Sequence, residues 1–149
     1  VNTLPFPAGL MAMLHAHSAT VAARATQRMK AELPSYARIP EEMLRSQNTQ
    51  TVEYVAAMMN ESDFSVAREY FERLTDQRIQ AGIPTADFLQ AIDLMVAEVI
   101  EQIQHTYSSD PDYRDKALRL FHAGTVFVRN VVGRTHLRQI VEQGSTPAH

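Results

Sequence analysis

The chain has 149 residues, 45% hydrophobic and 21% charged, the composition of one globular domain large enough to bury a core without disulfides or metals. Cysteine is absent, which removes disulfides, thiolate metal sites and cysteine nucleophiles together and fits a reducing, cytoplasmic setting. With 14 Lys and Arg against 17 Asp and Glu, the net charge of -3 offers no basic excess of the kind a nucleic-acid binder uses to neutralise phosphates. No stretch reaches the ~18–20 apolar residues of a membrane span. The apolar run 4–14 has no basic lead-in and is followed by His15, His17 and Ser18, so it does not read as a signal peptide. Val1 in place of an initiator Met reads as a processed chain or a piece of a longer one.

The first predicted helix covers residues 9–33, rich in the helix formers Ala, Met, Gln and Lys, and stops before Pro34. Residues 34–39 form a connector. Pro40 opens a second helix reaching about residue 60, with Glu41 and Glu42 on its positive end; Asn48, Thr49 and Thr51 weaken its middle enough for a break. Ser62 or Asp63 caps a third helix over 64–81, whose stripe is Phe64, Ala67, Phe71, Leu74 and Ile79. Gly82 stands where a left-handed terminator is favoured. Pro84 then opens a fourth helix over 85–107, with Phe88, Leu89, Ile92, Met95, Val96, Val99, Ile100 and Ile103 at three- and four-residue steps.

After the turn Ser108-Ser109-Asp110-Pro111, a fifth helix runs from 111 to about 143. At ~1.5 Å per residue it is roughly 45 Å long, enough to outreach a small domain. Leu118, Phe121, Thr125, Val128 and Val132 step through it at heptad spacing. Residues 144–149 read as a tail or linker. The fold class is all-α: one domain over 1–149, structured over 9–143, as a single bundle of about five helices or a globin-like arrangement, with a long C-terminal helix.

Chemistry is sparse. Nucleotide-binding glycine loops, HExxH, a Gly-x-Ser-x-Gly elbow and di-iron Glu-x-x-His motifs are all missing. His15 and His17, two apart on a helix, face different ways and do not share a metal. His105 suits the negative end of the fourth helix. His122, beside Phe121, lies on the apolar side of the fifth helix, where a haem-binding or other small-ligand globin-like sensor would use a histidine; a core or boundary residue is the plainer reading. Arg129, Arg134 and Arg138, with His136 among them, read as a solvated helix face, or as the best feature of a DNA-binding regulator. The pairs Glu41/Glu42, Glu69/Glu72 and Glu98/Glu101 read as solvated, not catalytic. Met11, Met13, Met58, Met59 and Met95 read as core filler before an adaptable pocket. No catalytic, cofactor-binding or metal-binding residue is assigned, no cofactor is expected, and the chain does not read as an enzyme.

Two stretches carry a resemblance. One is Leu33-Pro34-Ser35-Tyr36 followed by Ile39-Pro40-Glu41-Glu42; the other is Arg78, then Ala81-Gly82-Ile83-Pro84, then Phe88-Leu89-Gln90-Ala91. They resemble the RsbRD-type amino-terminal domain, the helical sensory module of stressosome co-antagonists, a module similar to the one that precedes PucR/CdaR-type helix-turn-helix regulators. The resemblance spans about residues 22–141. It departs at Ile92-Asp93-Leu94, where the family often has Tyr or Phe and then Arg. It implies a non-catalytic sensor of a bacterial regulator, dimeric, whose long last helix carries a packing change to an output domain or partner regulatory protein. It implies no ligand residues. The homodimer is expected to use the fourth and fifth helices, with Leu118, Phe121, Val128 and Val132 in its interface. A small-molecule ligand is left open, and no membrane or nucleic-acid partner is expected for the domain itself.

Overall fold

The computed structural model describes residues 4–59 and 64–144. They form five α-helices and one short 3-10 helix, with no strand among the described residues. The all-α expectation holds, and so does the long last helix. No helix among them is long and apolar enough to cross a membrane.

Helix α1 (Ala8–Glu32) buries Leu10, Leu14, Val21, Ala25 and Met29, spaced so that they share one face. Its exit residue Leu33 is extended (φ -119, ψ 96), the form a residue before proline is pushed into. The expected connector is itself a 3-10 helix, Pro34–Arg38. Two ties hold it. Lys30 donates its Nζ to the carbonyls of Tyr36 (3.0 Å), Ala37 (3.2 Å) and Ile39. Ser35 Oγ donates to Asp87 Oδ2 at 2.7 Å. Between them Tyr36 is turned fully inward.

Helix α2 (Glu41–Met58) is continuous, so the expected break does not occur. The residues that suggested it are all occupied. Thr49 and Thr51 donate back to the carbonyls of Arg45 and Gln47, each at 2.9 Å, and Asn48 points inward to Thr26. Polar side chains satisfied in this way stop competing with the helix ladder.

The expected caps Ser62 and Asp63 of helix α3 (Ser65–Gln80) lie outside the described residues. Its inward face carries Ala67, Phe71, Leu74, Thr75 and Arg78. Ile79, expected to end the stripe, is only half-buried, and Phe64 is 41% exposed. Gly82 does adopt the left-handed form, with φ 77. Ile83 N–H donates to Arg78 O and Gly82 N–H to Ile79 O, both at 3.0 Å, which closes the helix in a Schellman pattern.

Helix α4 (Thr85–Thr106) has two apolar stripes. Phe88, Ala91, Met95, Val99 and Ile103 are buried, while Leu89, Ile92, Val96 and Ile100 are half-buried. Helix α5 (Pro111–Gly144) is 34 residues long, roughly 50 Å at ~1.5 Å per residue. Its buried positions stop at Thr135; beyond it Leu137, Ile140 and Val141 are 61%, 52% and 62% exposed. Phe121, Val128 and Val132 are buried in the domain's own core, which corrects their placement in a dimer interface.

Helix α1 lies against α2 and α4, α5 against α3 and α4, and α2 touches α3. The helices therefore close a ring, and Leu14, Leu44, Phe71, Ile103 and Val132 fill its inside almost without exposure.

Candidate functional site

The ring does not pack solid. At its centre is a cavity of about 60 Å³ walled by all five helices and by Tyr36 of the 3-10 turn. The walls are mostly apolar: Leu14 and Met29 from α1, Phe71 from α3, Met95 and Val99 from α4, Val128 from α5. Of the methionines singled out in the sequence Met95 belongs to this wall, joined by Met29, which was not among them, and methionine is the apolar side chain that adapts most readily to a guest.

Polar groups enter the wall from one side. Arg78 is 6% exposed and donates Nη2 to Gln47 Oε1 at 2.8 Å. Its guanidinium stands 5.7 Å from the centre of the Tyr36 ring, within cation–π range. Arg78 Nε and the Tyr36 hydroxyl are both buried and both lack a hydrogen-bond partner among the described residues. Burial pushes the Tyr36 hydroxyl above its ordinary pKa, while the neighbouring Arg78 cation pulls the other way.

The rest of this side is satisfied. Tyr70 Oη lies within hydrogen-bond distance of both Thr51 Oγ1 (2.8 Å) and Gln47 O (3.1 Å), its single proton serving one of them, and its ring stacks on Tyr54. Burial raises the Tyr70 pKa against the bond from Thr51. Gln47 therefore joins Arg78 on α3 to the polar rung of α2.

The residues singled out in the sequence lie elsewhere. His122 is solvent-exposed, since the buried face of α5 runs through Phe121, Gly124 and Thr125; its expected place on the apolar side is corrected. No histidine lines the cavity, and its volume has no room for a porphyrin. His15 is exposed beside Glu53 (3.4 Å), His17 is half-buried, and His105 is exposed in the last turn of α4. Among the described residues no three His, Asp or Glu side chains gather where a metal could sit.

The arginine cluster is largely engaged. Arg129 pairs with Asp93, Arg138 lies 4.0 Å from Asp76 and 3.9 Å from Glu142, and a ring nitrogen of His136 meets Thr85 Oγ1 at 2.8 Å. Arg134 is exposed. These contacts tie α5 to α3 and α4 and leave no continuous basic stripe. Among the carboxylates, Glu98 departs from its expected solvated setting. It is 6% exposed, with Oε1 3.5 Å from Arg28 and Oε2 without a partner among the described residues.

Tyr36 and Arg78 were visible in the sequence only as members of turn motifs. Their signal was position: Arg78 follows Phe71 by two helical turns on the same face.

Neither the curated proteins nor the solved structures contain a match to this chain. Residues 19–139 match the family model described as the RsbT co-antagonist protein rsbRD N-terminal domain. That span contains every cavity-lining residue but Leu14, together with both turn motifs. The chain belongs to this RsbRD N-terminal domain family of stressosome co-antagonists, a family of regulatory, non-catalytic modules.

Proposed function

We propose that this chain is the signal-sensing domain of a cytoplasmic bacterial regulator, reading a small molecule in its central cavity and reporting it through α5. The observation that carries this is the double environment of α5. Its first half walls the cavity with Phe121, Thr125 and Val128, and its last turns leave the core with Leu137 and Ile140 exposed. A guest that shifts the wall shifts a helix whose last turns present exposed Leu137 and Ile140 to an output domain or a partner regulatory protein.

The reading includes a homodimer. The outward face of α5 presents Val126, Asn130, Gly133, Leu137 and Ile140 at steps of four, three, four and three, all exposed. That is coiled-coil seam spacing with one polar position to fix register, and a twofold mate would lay the same seam against itself.

The chain has no cysteine, so Gln143→Cys takes a single spin label. Dipolar distance measurement between protomers then reports the α5 ends. We expect a dimer with a defined distance, and a changed distance in Ala91→Leu, which fills the cavity. A monomer at micromolar concentration rejects the dimer; an unchanged distance in folded Ala91→Leu rejects the relay.

A further inference from the structure

We propose that the cavity binds a short-chain aliphatic monocarboxylate, its carboxylate taken by Arg78 Nε and the Tyr36 hydroxyl and its alkyl end by the apolar wall at Met95 and Val99. The use of such a ligand as a signal rests on the sensing role proposed above; its binding does not.

The charge is the first argument. A guanidinium withdrawn from water is strongly destabilising unless an anion faces it. Around Arg78 the fold supplies a neutral amide oxygen from Gln47 and the face of the Tyr36 ring, and no Asp or Glu of the described residues pairs with it. Among the described residues its Nε–H meets no acceptor, the Tyr36 hydroxyl beside it has no partner in hydrogen-bond geometry either, and both side chains belong to the cavity lining. Buried donors without acceptors are uncommon in folded chains, and two beside one cavity describe the missing group. It accepts hydrogen bonds, carries negative charge and reaches both donors. A carboxylate meets all three conditions.

The remaining wall sets the body of the ligand. The other polar residues that line the cavity, Asn48, Thr51 and Thr125, are neutral, and each already bonds within the protein. A second carboxylate would have no cation, so a diacid is disfavoured. A bare inorganic anion would leave the apolar wall facing empty space and would lose hydration without replacement. An alcohol or amine would leave the guanidinium without a counter-charge. At about 60 Å³, with Met29 and Met95 able to swing, the space takes a short alkyl chain and excludes a long acyl tail.

Sodium butyrate is the probe, titrated against sodium chloride at equal ionic strength and against butan-1-ol. A ligand bound only by the folded state raises the melting temperature; at tenfold excess over its Kd the rise is about 3–6 °C for a chain of this size. We expect that rise with butyrate and not with chloride or butan-1-ol. Arg78→Met should abolish it, and Tyr36→Phe should weaken it. Should Arg78→Met fail to fold, the wild type answers by itself: butyrate must shift the Arg78 Nε–Hε resonance in a proton–nitrogen spectrum. No rise beyond chloride, an equal rise with butan-1-ol, a rise that survives Arg78→Met, or an unmoved Arg78 resonance overturns the proposal. A normal butyrate response with a fixed α5 distance would overturn the relay alone.

Discussion

Asn48 Nδ2 donates to Thr26 Oγ1 at 2.9 Å, with both residues buried, and so fixes the register of α2 on α1. Thr26 in turn donates to Ala22 O at 2.7 Å, so its hydroxyl is satisfied on both sides. Thr26→Val would leave the Asn48 amide with only the weak acceptor Met29 Sδ at 3.4 Å. We expect a loss of about 1–3 kcal/mol, the cost of stranding a buried polar group, and a smaller loss once Asn48→Leu is added. Urea midpoints for the single and double variants measure it; equal losses would mean the pair does not set the register.

Gly82 separates two kinds of cost. A Cβ built there meets nothing within 4 Å, so only the backbone at φ 77 resists substitution. Gly82→Val should destabilise by about 1–2 kcal/mol, and Gly82→Asn by clearly less, because asparagine tolerates the left-handed region. Thermal melts of the two variants give the difference.

Glu98 is a buried carboxylate with one oxygen unpartnered among the described residues, where its one ion-pair partner, Arg28, is 41% exposed by side chain and has Glu32 as an alternative at 3.3 Å. Glu98→Met therefore trades a desolvated charge for apolar packing without stranding the arginine. The expected outcome is an unchanged or raised urea midpoint, equivalent to up to about 1 kcal/mol of added stability. A marked loss would mean Glu98 has a partner of its own.

Much of this was legible beforehand, and the boundary has a physical cause. Pro34, Pro40, Gly82 and Pro84 mark helix ends through backbone geometry alone, so the elements could be placed from local sequence. The direction of a side chain near the end of a stripe could not. After Leu74, residues 78 and 79 are almost equally placed to face inward, and hydrophobicity favours Ile79. The decision falls to Gln47 and Tyr36, distant in sequence, which hold Arg78 inside. The same holds for Glu98 and for Val128, whose heptad spacing fits an internal seam as well as an external one.

Alkaline pH should reveal the buried tyrosines. Burial holds Tyr36, Tyr70 and Tyr107 above the ordinary tyrosine pKa of about 10, with Tyr113 reinforcing the rise at Tyr107. The unfolded chain releases these protons near pH 10 while the folded chain keeps them. Their contribution is thus intact below about pH 10 and is lost as pH climbs towards the folded values. Melting temperature should fall steeply above that point, and Tyr107→Phe should make the fall shallower.

The two faces of α5 predict opposite variants. Ile140→Asp, on the exposed end, should leave the fold intact and dissociate the proposed dimer in sedimentation. Val128→Asp places a charge in the core beside the cavity and should unfold the domain, so it cannot report on assembly.

The ring also orders events in time. Contacts between α1 and α2 join neighbours in the chain, and they can form while the remainder is still being made. Contacts of α5 with α3 and α4 come later, because α5 follows both in the chain. Until it emerges from the ribosome, the apolar faces of Phe71 and Met95 stand open on one side. The cavity closes only when α5 docks. A nascent chain halted before Pro111 would therefore be a trough, vulnerable to aggregation and dependent on a chaperone's protection.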